Sequence, residues 1–185
     1  LVEVGVGLLP AGGGCKEFAM RAAADAKGGD MSPFLQKYFK AVAMAEVGRS
    51  AEHAREIGYL RVTDRIVMNR FELLEIAKAE VRAMAAAGYR PPLQKLVPVA
   101  GRYAIGTIMM QLVNMRDGGF ISAHDFKLGQ MIATVVAGGD VDQGSLVSEQ
   151  WLLDLERKAF MELLNHPKTQ ERIMGMMQTG KPVRN

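Results

Sequence analysis

Glycines cut this chain into helix-length pieces, and that punctuation limits the fold more than any other feature. Gly28-Gly29, Gly48, Gly58, Gly88, Gly118-Gly119, Gly138-Gly139 and Gly180 fall between segments whose apolar residues mostly return at helical spacing. Glycine is common just past a helix end because it accepts left-handed backbone without strain. The start signals agree with these stops. Ser32-Pro33 reads as an N-cap with Pro at the first helical position, before a helix over Phe34 to Met44. Ser50 caps a short helix over Ala51 to Ile57. Asn69 with Glu72 opens a helix to Ala87, with Phe71, Leu74, Ala77, Val81 and Met84 as its inner stripe. Ser122 with Asp125 starts a helix ending near Ala137, and Ser148 caps one over Glu149 to Leu164 whose apolar side is Leu152, Leu155, Ala159 and Leu163. Further helices fit 14–26, Tyr103 to Met115 and Thr169 to Met177, the last after His166-Pro167 interrupts the pattern. Only residues 2–9 and Tyr59 to Val67 read as short strands. Two strands make no stable sheet by themselves, so the expected class is mainly α with at most one or two short strands.

The 185 residues are enough for one ordinary domain with a core, and 49% hydrophobic against 23% charged is a globular balance. Thirteen Met residues suit an irregular core. Net charge is only +3 and the signs alternate along the helices, which argues against nucleic-acid binding. No apolar run approaches the roughly 18 residues that span a bilayer. The single cysteine, Cys15, cannot form an intramolecular disulfide, which fits a reducing, cytoplasmic setting. It lies near a helix start, where a thiol can be activated, but a small buried residue is the plainer reading.

The opening run Leu1-Val2-Glu3-Val4-Gly5-Val6-Gly7-Leu8-Leu9-Pro10-Ala11-Gly12-Gly13-Gly14 places one carboxylate in an apolar, Gly-rich stretch. A carboxyl among apolar groups pairs or shifts its pKa, which is how proteins obtain acids and bases useful near neutral pH. The chain opens without Met, so a longer parent is expected. His53, His124 and His166 are dispersed without metal-ligand spacing. His124 reads as a solvated helix-start residue and His166 as a helix terminator. Asp140 and Asp142 lie in a Gly-rich loop without the ligand pattern of a calcium loop, so no metal is expected. Trp151 reads as a core or interface anchor.

The run Glu3-Val4-Gly5-Val6-Gly7-Leu8-Leu9-Pro10-Ala11-Gly12-Gly13-Gly14 resembles the crotonase (enoyl-CoA hydratase/isomerase) signature, a Glu-bearing strand leading into G-x-x-P-G-x-G-G and a helix. Glu46-Val47-Gly48-Arg49-Ser50-Ala51-Glu52-His53-Ala54-Arg55-Glu56-Ile57-Gly58-Tyr59-Leu60 resembles the family's next landmark, with longer spacing between the two. The stretches Tyr89-Arg90-Pro91-Pro92, Gly118 to Phe126 and Pro167 to Asn185 resemble one subgroup, the bacterial multifunctional proteins with a 3-hydroxyacyl-CoA dehydrogenase part first and a hydratase part last. The resemblance covers the whole chain and implies the helical C-terminal half of a crotonase-type α/β fold. It divides the chain into 1–67, the end of the crotonase core, and 68–185, a helical region.

The resemblance implies a parent that hydrates trans-2-enoyl-CoA in fatty-acid β-oxidation. Glu3 would be the acid that protonates the α-carbon. The family's first glutamate and its two oxyanion donors match no residue of this chain, so the chain alone is expected to be inactive. Ala11, Gly12 and Gly13 fall at the glycine turn near the catalytic water, with Ala11 where the family usually has Gly. That turn is either a tight strand-to-helix connection or a direct neighbour of substrate. Lys16, Arg21, Arg49, Lys181 and Arg184 are cations suited to CoA phosphates, Lys181 best by position. No cofactor is expected in this chain, NAD belonging to an upstream dehydrogenase part. The expected partners are an acyl-CoA substrate and further copies of the chain. An isomerase or hydrolase variant stays open, as does a non-catalytic all-α association module.

Overall fold

The computed structural model describes residues 2–185. Among them are eight α-helices and one two-stranded antiparallel sheet, so the protein is mainly helical. In chain order these are α1 (Gly14–Ala26), α2 (Ser32–Ala43), α3 (Ala51–Glu56), α4 (Leu73–Ala86), β1 (Val97–Pro98), α5 (Gly101–Asp117), α6 (Ala123–Val136), β2 (Leu146–Val147), α7 (Glu149–Leu164) and α8 (Pro167–Thr179). They form two compact units, one made of the residues up to Val47 with Lys95–Asn185, the other of Gly48–Gln94.

In the first unit α1 packs on α2, α6 and α7, and α5 lies against α6. Ala19 of α1, Val99, Val147 and Leu152 of α7 share one buried cluster, with Met20, Val141 and Leu155 packed on it. Leu9, Ile108, Leu128, Ile132, Leu152 and Leu163 are wholly buried. Each such side chain contributes roughly 1.5–3 kcal/mol by leaving water. The sheet pairs Val97 with Val147 and Pro98 with Leu146.

Local side-chain caps explain four of the eight helix starts, those of α3, α6, α7 and α8. The Ser122 side chain accepts from the Asp125 N–H, and the Asp125 carboxylate accepts from the Ser122 N–H, a complete capping box. Ser148 accepts from the Trp151 N–H at 3.1 Å, and Ser50 from that of His53 at 3.1 Å. At α2 the expected cap shifts by one position. Ser32 is already helical and Met31 stands at the N-cap, while Asp30 accepts the Ser32 N–H at 2.9 Å. His166 sits in the break between α7 and α8, its N–H on Leu163 O at 2.9 Å, and its ring caps α8 by accepting from the Lys168 N–H at 3.2 Å.

Both expected strands are absent. Residues 3–6 form a 3-10 turn. Gly5 N–H donates to Val2 O, Gly7 N–H to Val4 O and Leu8 N–H to Glu3 O, each at 3.0 Å. Tyr59 to Val67 closes turns instead, with Asp64 N–H on Arg61 O at 3.1 Å and Arg61 N–H on the Asp64 carboxylate at 2.7 Å. Neither segment meets a strand edge, and each closes backbone hydrogen bonds within its own turns.

In the second unit α3 and α4 are joined by those turns, and Arg65 pairs with Glu80. The apolar stripe of α4, expected to face inward, is exposed. Phe71 is 83% exposed, and Leu74, Val81 and Met84 are also exposed. Periodicity gives a helix an apolar face, but it does not supply the surface that covers it.

Candidate functional site

The Glu3 turn is held from below. Gly7 takes a left-handed backbone (φ 80°), and a Cβ there would lie 3.1 Å from both His124 Nε2 and Thr169 Oγ1. Only glycine fits that approach. Thr169 Oγ1 donates to Gly7 O at 3.0 Å and lies 2.9 Å from His124 Nε2. Because the hydroxyl proton goes to Gly7, its oxygen accepts from His124 Nε2–H. His124 is 5% exposed, so the expected solvated residue is in fact buried. Burial first, then the charges of Arg172 and His166, push its pKa down to about 4. Its ring stacks on His166 at 4.5 Å, and Nδ1 is buried without a hydrogen-bond partner.

Arg172 of α8 completes this support. Its guanidinium meets Asp125 Oδ1 at 2.8 Å and donates from Nε to Asn185 Oδ1 at 2.8 Å. Burial alone would raise the Asp125 pKa, but the Arg172 hydrogen bond and charge and the Ser122 N–H outweigh it and lower it.

From Gly7 the chain runs inward through Leu8, Leu9 and Pro10, all buried, and re-emerges at Ala11 and Gly12. Glu3, Ala11 and Gly12 then line an open cleft of about 520 Å³. Gln150, Leu153, Asp154, Arg157 and Phe160 of α7 form the rest of its lining. Glu3 Oε2 is buried and has no hydrogen-bond partner among the described residues. A buried, unsatisfied carboxylate oxygen is costly in a finished protein, and a site that binds something is one place where it persists.

Gly13, left-handed at φ 94°, stands at the N-cap of α1. It does not line the cleft; its N–H donates to Glu156 Oε2 at 3.0 Å. The other carboxylate oxygen of Glu156 accepts from the Lys16 N–H. Burial raises the Glu156 pKa, while the N–H groups of Lys16 and Gly13 and the Lys16 charge oppose the rise. Cys15 beneath the turn is fully buried, and burial, then Glu156 and Glu3, push its thiol pKa well up. That removes it as a nucleophile near neutral pH.

The expected phosphate cations are not gathered at the cleft. Lys16 pairs with Glu149 at 2.7 Å and Glu17 at 3.5 Å. Burial disfavours its ammonium, yet the Glu149 hydrogen bond and charge outweigh that and raise its pKa. Arg21 pairs with Glu17 at 3.0 Å. Lys181 lies past α8, its N–H on Thr179 Oγ1 at 3.2 Å, and does not line the cleft. The cation there is Arg157, which holds Asp154 at 2.7 Å. Trp151 donates from its indole to Gly138 O at 3.0 Å.

Glu3, Ala11 and Gly12, singled out from the sequence, line the cleft; so do Arg157 and Phe160, which the sequence did not single out, nor did it mark Glu156. One signal was available. Glu156 interrupts the apolar stripe of α7 one turn after Leu152, and an acid in such a stripe needs a partner. No group of three His, Cys, Asp or Glu suited to a metal occurs among the described residues. No described helix is long and apolar enough to cross a membrane.

Fold and site together define a mainly helical protein with a carboxylate-bearing cleft between a glycine turn and one face of α7. Over all 185 residues it is 40% identical to a probable 3-hydroxyacyl-CoA dehydrogenase of Bacillus subtilis (strain 168). The chain spans 23% of that relative's length. No protein-family profile and no solved structure matches it.

Proposed function

We propose that this chain belongs to the enoyl-CoA hydratase module of a multifunctional fatty-acid β-oxidation enzyme. In that reading residues 1–67 end the crotonase core and 68–185 form its helical region, while NAD serves the dehydrogenase part of the longer protein. The dehydrogenase relative, matched along the whole chain, supports a β-oxidation setting. The observation that carries the reading is Glu3, which lines a cleft together with Ala11 and Gly12 and whose Oε2 is buried without a partner among the described residues.

The chemistry asks little of this chain beyond one well-placed acid. Water adds through its oxygen to the β-carbon of a trans-2-enoyl thioester. Its spare proton goes to the family's first glutamate, and Glu3 delivers a proton to the α-carbon. Negative charge rests meanwhile on the thioester oxygen, where backbone donors supplied from elsewhere in the enzyme hold it. Ala11, Leu153 and Phe160 give the acyl chain apolar contact. Replacing Glu3 with Gln in the longer enzyme tests the assignment: turnover of crotonyl-CoA falls at least ~100-fold, as for the loss of an acid–base group. A near-normal rate removes Glu3 from the mechanism.

A second reading, a helical module that associates without catalysis, is favoured by the exposed apolar face of α4.

A further inference from the structure

The α7 helix joins a buried acid to the wall of the cleft. Glu156 is 0% exposed, within a turn or two of Leu152 and Leu163, which are equally buried. An apolar residue would fill such a core position at lower cost, since burying a carboxylate is expensive unless it gains strong hydrogen bonds. Glu156 gains them from the backbone of a distant segment, through Gly13 N–H at 3.0 Å and Lys16 N–H. These donors belong to the free first turn of α1, where the helix dipole also favours a negative charge. The Lys16 ammonium is paired with Glu149 and Glu17, so the hydrogen bonds that Glu156 accepts from this segment come from backbone N–H groups.

The geometry points to a role for this contact in the site. Gly12, which lines the cleft, immediately precedes Gly13, which Glu156 holds. Leu153, Arg157 and Phe160, which line the same cleft, lie within about one turn of Glu156. We propose that Glu156 is a positioning residue. Its carboxylate locks the glycine turn to α7 and so sets the width of the cleft that Glu3 lines. The proposal rests on the reading of Glu3 as the acid. Glu156 itself touches no substrate; it acts through the backbone of Gly13 and the rotation of α7.

The test uses the longer enzyme with Glu156→Gln, Glu156→Asp and, as a stability control on the same helix, Leu163→Ala. Gln keeps the shape but offers one carbonyl to two N–H donors and turns an NH2 group on the other. The expected result for Glu156→Gln is a kcat for crotonyl-CoA lowered at least ~10-fold with KM within ~3-fold. Peptide-resolved hydrogen exchange over residues 11–17 accelerates at least ~10-fold in the same variant. Glu156→Asp, which keeps the charge, recovers part of both. Leu163→Ala loses as much thermal stability but keeps kcat within ~2-fold. The proposal is overturned if Glu156→Gln keeps both kcat and exchange protection, or if kcat follows melting temperature equally in all three variants. If Glu3→Gln retains turnover, the hydratase reading fails separately. Exchange over residues 11–17 then decides whether Glu156 holds the turn.

Discussion

His124 and Thr169 meet inside the protein at 2.9 Å, and the threonine hydroxyl passes the contact on to Gly7 O at 3.0 Å. One hydroxyl thus ties α6 and α8 to the turn that follows Glu3. Replacing Thr169 with Val leaves a ring N–H and a carbonyl buried without partners. We expect a loss of about 1–3 kcal/mol in urea unfolding, with Ser restoring most of it. Equal stability for Thr169→Val would show that the hydroxyl is not needed.

The same histidine makes stability depend on pH. Its folded pKa is pushed down to about 4, against about 6.5 unfolded. Between those values the unfolded chain binds a proton that the folded chain does not, so stability falls as pH drops from about 6.5 to about 4. Asp125, lowered by Arg172, adds to the loss at still more acid pH. Glu156, whose pKa is raised, pulls the other way around its own titration. The His124 share is therefore read as a difference. His124→Gln flattens the pH 6.5–4 slope of unfolding free energy, and an unchanged slope contradicts the assignment.

On α4 the expectation concerns the apolar face. Leu74 and Val81 are exposed, so Gln at both positions should change stability by no more than about 0.5 kcal/mol each. We also expect the chain to associate through this face, and the double variant to sediment closer to a single copy. Unchanged sedimentation would place the association elsewhere.

The 185-residue chain alone should leave crotonyl-CoA unhydrated. The proposed reaction needs a second glutamate and two oxyanion donors that the resemblance assigns to none of its residues. One such donor is worth roughly 100- to 1,000-fold in rate. Hydration by the isolated chain at an enzyme-like rate would refute the division of labour.

What the sequence determined by itself was local. Ser122 with Asp125, Ser148 and Ser50 announced their helices, because a cap is a contact across three residues and needs no distant partner. Glu3 stood out for the same kind of reason, as a charge among apolar neighbours. Contacts between distant segments decided the rest. Residues 2–9 have strand composition but no strand to pair with, so they became a turn. Val97 and Val147 paired although neither segment reads as a strand. Glu156 reached Gly13 across 143 residues, and His124 found Thr169 across 45. A buried polar group must be satisfied, but its sequence neighbours do not say by whom; only the packing of α6, α7 and α8 supplied the partners.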